Sequence, residues 1–175
     1  MQYNFSTWVK NKRVFYLLLK ITLYLCFIKI QKMFSKTCEY ALRALIYIAQ
    51  QSKNDSRIGI KDIAKNINSP EHFIAKILQD LSRKGFVQSA KGPNGGFYMD
   101  TKNLDLTIAD IVREIDGDKL FTGCGLGLEE CSESHPCPLH NQFKSIRQDL
   151  RIMLECSKIQ MFVDNLDLKL THLKV

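Results

Sequence analysis

The chain has 175 residues, enough for one domain or for a small domain with an appended helical unit. At 45% hydrophobic and 25% charged it has an ordinary folding composition, which excludes an intrinsically disordered chain. The net charge of +7 divides as +6 over residues 1–32, +4 over 33–100 and −3 over 101–175, so a uniformly basic nucleic-acid coat is excluded. Any DNA-binding surface is local and belongs within 33–100.

Val14 to Ile30 is strongly apolar, yet it contains Lys20 and is flanked by Lys10, Lys12, Arg13, Lys29 and Lys32. A membrane-spanning helix needs about 20 apolar residues, more than this run supplies. The basic flank and short apolar stretch resemble a signal peptide, but no small-x-small cleavage site follows. Three readings of residues 1–32 stand: a start codon upstream of the real one at Met33, a membrane-surface or inserted helix, or a core element. The fold is therefore read from Met33 onward.

From Ser35 to Gln51, apolar residues fall at Cys38, Ala41, Leu42, Leu45, Ile46 and Ala49, the spacing of an amphipathic helix. After a polar loop, Ile60, Ile63, Ala64 and Ile67 predict a short second helix. Ser69-Pro70-Glu71 reads as an N-cap, a first-turn proline and an acid facing the helix dipole. They open a third helix that buries Ile74, Ile77, Leu78 and Leu81 and stops at Gly85.

The period then changes. Phe86-Val87 and Phe97-Tyr98-Met99 flank the turn-rich Lys91-Gly92-Pro93-Asn94-Gly95-Gly96, which predicts a β-hairpin. Thr107-Ile108-Ala109-Asp110 is a capping box opening a helix that ends at Gly117. Residues 118–137 show no periodicity. Leu139, Phe143, Ile146, Leu150 and Met153 then recur in steps of four and three, a heptad seam that packs one helix along another. A last short helix, Lys158 to Asn165, is expected with Ser157 as its cap.

Three helices followed by a hairpin predict a mainly α chain with a small β-hairpin, arranged as a winged helix-turn-helix plus a long dimerisation helix. In that fold the third helix enters the DNA major groove and the hairpin tip touches backbone or minor groove. The outward residues of the third helix include His72, Lys76, Gln79 and Arg83. Lys76 can reach guanine or phosphate, and Gln79 adenine or a backbone oxygen. Lys91 sits among glycines that allow close approach to a duplex. A solvated polar face is the plain alternative for the helix alone; the hairpin directly after it favours DNA.

Cys124, Cys131 and Cys137 are spaced C-x6-C-x5-C in a loop containing Gly123, Gly125 and Gly127. Three thiolates suit soft metals, either an iron–sulfur cluster or zinc. Structural zinc sites usually carry a tighter cysteine knuckle, so the wide spacing favours a cluster. A fourth ligand is needed, and His140 stands three residues after Cys137. Cys38 and Cys156 read as plain apolar helix residues, as does Cys26. Four histidines are present without a Ser/His/Asp pattern, a nucleophile elbow or a P-loop, so no enzyme and no small-molecule substrate is expected.

Glu39-Tyr40-Ala41-Leu42-Arg43-Ala44-Leu45, Leu81-Ser82-Arg83-Lys84-Gly85-Phe86-Val87, Lys91-Gly92-Pro93-Asn94-Gly95-Gly96 and the cysteine loop before a long helix occur here in one order. Together they resemble the IscR/NsrR family of bacterial Rrf-type iron–sulfur transcription regulators, over Met33 to about Asn165. The resemblance implies a cytoplasmic homodimer whose long helices pair and whose recognition helices bind palindromic double-stranded DNA. It implies a cluster on Cys124, Cys131 and Cys137, with His140 as fourth ligand in the IscR manner, or Glu39 of the partner subunit in the NsrR manner. The histidine favours [2Fe–2S] over [4Fe–4S]. The expected organisation is a winged unit over 33–103, a linker helix and cluster loop over 104–137, and a dimerisation helix with a short terminal helix over 138–175. A zinc-bound or thiol-based regulator on the same fold, or a membrane-tethered interaction module, are the alternatives.

Overall fold

Helix α1 (Lys36–Ser52) packs against the two helices that follow it, the second hairpin strand, the Ile108–Asp116 helix and the last helix. All six residues that its period singled out are buried, and Ala44 and Ile48 join them. Ser35 starts the helix: its Oγ accepts the Cys38 N–H at 3.1 Å, while its own N–H donates to Asp116 Oδ2 at 2.8 Å. The computed structural model describes residues 33–52, 56–129 and 131–169. Residues 1–32 and the three readings given to them lie outside the described residues.

Helices α2 (Ile60–Asn66) and α3 (Glu71–Arg83) pack on α1 and on each other, with Ile63, Ile74, Leu78 and Leu81 inside. The start of α3 differs from expectation. Pro70 is the N-cap, no side chain caps the helix, and Ser69 Oγ is buried without a partner. Its end is as expected: Gly85 takes φ +82°, and the Phe86 N–H donates back to Leu81 O at 2.9 Å.

The hairpin pairs β1 (Gln88–Ala90) with β2 (Gly96–Tyr98) in antiparallel register, Ser89 opposite Phe97. Ile58 adds a third edge by exchanging two backbone hydrogen bonds with Phe97, at 3.0 and 2.9 Å. A Cβ on Gly96 would lie 2.7 Å from Ile58 O, so the close approach requires glycine there. The Ser82 and Ser89 hydroxyls, 2.9 Å apart, tie α3 to the hairpin.

Two short helices, α4 (Thr101–Leu104) and α6 (Lys119–Thr122), had no periodic signal. Between them α5 (Ile108–Asp116) forms as predicted, with a reciprocal capping box between Thr107 and Asp110 and Gly117 at its end, φ +73°. The long helix is α7 (His140–Cys156), 17 residues. The last helix, α8, spans Ile159–Asp167, and Ser157 does not cap it: its hydroxyl donates back to Met153 O at 2.7 Å, and Lys158 is the N-cap. The chain on either side of α8's start is pinned to the linker, Ile108 N–H to Ser157 O at 2.8 Å and Ile159 N–H to Leu106 O at 3.0 Å.

The described residues from Phe34 to Lys169 form one unit around one apolar core, to which α1, α2, α3, the hairpin, α5, α7 and α8 all contribute. Among the described residues no helix is long and apolar enough to cross a membrane.

Candidate nucleic-acid interface and cysteine centre

The core-facing residues of α3 turn His72, Lys76, Gln79 and Arg83 outward, and all four are exposed. Lys91 is exposed at the hairpin tip, where a Cβ on Gly95 would lie 2.4 Å from Ala90 O. Among the described residues none of the three cationic side chains, Lys76, Arg83 and Lys91, is taken by a carboxylate. Lys84, next in sequence, is: it binds Asp80 at 3.0 Å and Glu114 at 2.6 Å, which ties α3 to α5. Lys76, Arg83 and Lys91 are thereby left open to solvent.

Sequence reasoning missed Arg57. Its guanidinium stacks over the Tyr98 ring at 5.5 Å and, with Ser56, Pro93, Asn94 and Gly95, lines a hollow of about 510 Å³ beside the hairpin tip. No periodic signal marks a single arginine in a loop. The backbone pairing of Ile58 with Phe97 carries it there.

The cysteine loop lies between α6 and α7. Gly123 and Gly125 are where the backbone comes closest to other groups. A Cβ on Gly123 would lie 2.5 Å from Lys119 O, and one on Gly125 would lie 2.4 Å from the Phe143 ring. The loop glycines therefore fit it against the chain's own helices. His140, at the first turn of α7, is 6% exposed, and its Nδ1 lies 3.4 Å from Cys131 Sγ. The Cys124 thiol is held below its ordinary value by the backbone N–H groups of Leu126 and Leu128, with smaller contributions from hydrogen bonds to Cys137 and Cys131. All three cysteines are free and half-buried.

The donor types suit a soft metal centre: three loop thiols, one held below its ordinary value, and a buried imidazole 3.4 Å from another. The set is not closed. Among the described residues no three Cys, His, Asp or Glu side chains are gathered tightly enough to hold one ion. Glu39, the other candidate ligand, is on α1, paired with Lys36 at 2.6 Å.

One face of α7 holds this loop. His140, Lys144, Arg147 and Arg151 follow in steps of four, three and four, the helical repeat. Lys144 pairs with Glu133, Arg147 Nη2 donates to Cys131 Sγ at 3.4 Å, and Arg151 Nη2 donates to Phe121 O at 3.4 Å. The seam residues lie on the adjacent face. Leu139, Ile146 and Met153 are 40%, 60% and 52% exposed. Phe143 and Leu150 are half-buried, Phe143 against Gly125 and Leu150 against the core. Cys38 is buried as expected, whereas Cys156 is exposed rather than packed.

Residues 34–165 match the Rrf2 family, described as an iron-dependent transcriptional regulator. A protein of Aquifex aeolicus carrying the provisional description HTH-type transcriptional regulator is 34% identical over 134 residues, covering 75% of this chain and 91% of that one. Among solved structures, CymR (YrzC), the global cysteine regulator of B. subtilis, superposes with a TM-score of 0.61 at 22% identity, covering 74% of this chain and 95% of CymR. IscR of T. potens gives 0.59 at 16% identity, over 83% and 95%. At these identities the structural likeness is one of winged-helix fold.

Proposed function

The chain belongs to the Rrf2 family of iron-dependent transcriptional regulators, and we propose that it is a cytoplasmic homodimer whose three loop cysteines hold an iron–sulfur cluster. As a member of that family it is a DNA-binding regulator and not an enzyme. The observation that carries the finer reading is the convergence of Cys131 with buried His140, 3.4 Å apart, in a loop that also presents Cys124 and Cys137. In this reading Cys124, Cys131, Cys137 and His140 are the ligands, which suits [2Fe–2S]; Glu39 of the partner subunit is the alternative fourth ligand. The bound cluster would supply a centre whose charge and ligation respond to iron supply, redox state or nitric oxide.

Residues 33–103 would bind DNA through His72, Lys76, Gln79, Arg83 and Lys91, residues 104–137 would carry the centre, and residues 138–175 would pair with a second copy. Arg113 of α5 lies over the ring of Phe121, just before the loop, at 4.6 Å and pairs with Glu155 near the far end of α7. The loop itself meets α7 through Cys131, which approaches His140 and Arg147. A change in the loop would therefore bear on α7, and so on the spacing of two recognition helices on a palindromic site.

Anaerobic purification with iron and sulfide analysis tests this. Visible colour with stoichiometric iron and sulfide is expected, and Cys124→Ala, Cys131→Ala or Cys137→Ala should each abolish it with the fold intact. Full iron in all three variants would exclude the site. A zinc-bound or thiol-based regulator is the second reading, supported by the free, half-buried Cys124, whose thiol is held below its ordinary value. Colourless protein with zinc or with free thiols would favour it.

A further inference from the structure

Arg147 is the member of the α7 stripe that faces sulfur. Its Nη2 donates to Cys131 Sγ at 3.4 Å, and its Nη1 is buried with no hydrogen-bond partner among the described residues. The neighbouring cations are matched by oxygen, Lys144 by the Glu133 carboxylate and Arg151 by the Phe121 carbonyl. A guanidinium carries five donors and no acceptor, so a buried, idle N–H on it is costly unless an anion comes to meet it. The anion this place suits is sulfur-borne, because the group Arg147 already meets is the Cys131 thiol, which His140 Nδ1 also approaches.

We propose that Arg147 is the countercharge of the cysteine centre, its idle Nη1–H reserved for a thiolate or inorganic sulfide of the bound cluster. The inference rests on the iron–sulfur reading above and adds a positioning and redox-tuning residue to it. Three thiolates and sulfide make such a centre electron-rich, and one-electron reduction adds a further unit of negative charge. A fixed cation in contact, in a half-buried site, stabilises the reduced form more than the oxidised form. Arginine suits the place better than lysine, since its planar fork can keep one N–H on Cys131 and direct another to a second sulfur.

The test compares wild type, Arg147→Gln and Arg147→Lys after anaerobic reconstitution with iron and sulfide, titrated with dithionite against mediator dyes. Wild type should load. Arg147→Gln, which keeps a donor and loses the charge, should hold the same iron and sulfide with its reduction equilibrium displaced about tenfold toward the oxidised form. For a one-electron couple that is about 59 mV more negative. Arg147→Lys should shift less, with the same sign. An Arg147→Gln protein at the wild-type potential overturns the proposal. If Arg147→Gln loads too little to titrate, Arg147→Met, which keeps the apolar stem and loses the charge, decides: a negative shift supports the countercharge, and a wild-type potential shows that Arg147 only tethers the loop. Wild type that takes up no iron and sulfide overturns the cluster reading and this inference together, and that outcome is visible before any variant is compared.

Discussion

Gly125 and Phe143 show how a single residue places the cysteine loop. With a Cβ on Gly125 only 2.4 Å from the ring, Gly125→Ala must displace either loop or ring. It should lower stability by about 1–3 kcal/mol, the usual cost of overpacking. Adding Phe143→Ala should recover part of that loss in thermal unfolding; strictly additive losses would show that the ring is not the obstacle. The cysteines divide in the same local way. Burial, then the Asp116 charge and hydrogen bond, then Glu39, push the Cys38 thiol up to about 12, whereas Cys124 is held low. In metal-free protein near neutral pH, iodoacetamide should therefore modify Cys124 and spare Cys38, as peptide mass spectrometry would report. A raised thiol value means the neutral form is the one the fold prefers. Its contribution is complete below the ordinary value of 9.0 and is lost as pH climbs through about 12. Over that window the urea midpoint of wild type should fall more steeply than that of Cys38→Ala; parallel curves would contradict it.

Among the elements, α3 and the hairpin divide their cations between two tasks. Lys84 holds α5 through Glu114, while Lys76 and Lys91 stand open. Lys91→Ala should weaken binding on every sequence and reduce the salt slope by about one, as for a lost phosphate contact. Lys76→Ala should cost about 1–3 kcal/mol on the specific site if it reads a base. Lys84→Ala should leave the salt slope unchanged. Salt-dependent affinity measurements on specific and random duplexes separate the three, and unchanged affinity in both Lys76→Ala and Lys91→Ala would remove this surface. Helix α7 divides its labour by face: one stripe binds the loop, and the adjacent one, with Leu139, Ile146 and Met153, stays open.

At the scale of the whole molecule, that open stripe is what a second copy would cover. Ile146 is 60% exposed in the single chain, so Asp there costs the folded monomer little. In a paired seam the same carboxylate would be buried without a partner, at a cost of several kcal/mol. Ile146→Asp should therefore sediment as a folded monomer and lose specific DNA binding. A variant that remains dimeric would place the subunit contact elsewhere.

The elements readable from residue order were those whose signal is periodic or local. Helices α1, α2, α3, α5 and α7, the hairpin and the Thr107 capping box follow from apolar spacing and turn chemistry, because burial on one face imposes a repeat on the chain. Helices α4 and α6 are one turn each, too short to show a period: a capping box between Asp100 and Asn103 holds α4, and in α6 the Asp118 carbonyl accepts the Phe121 and Thr122 N–H groups with no side-chain cap. Ser69 and Ser157 carried the right chemistry for caps and do not act as caps, since a cap depends on backbone direction, which packing sets. The ligand-type residues at Cys124, Cys131, Cys137 and His140 were legible as composition and spacing. Their approach to one another was not, nor was the role of Arg147 beside Cys131 or of Arg57 beside Tyr98, because those neighbours are distant in sequence and meet only when α7 lies against the loop and Ile58 pairs with Phe97.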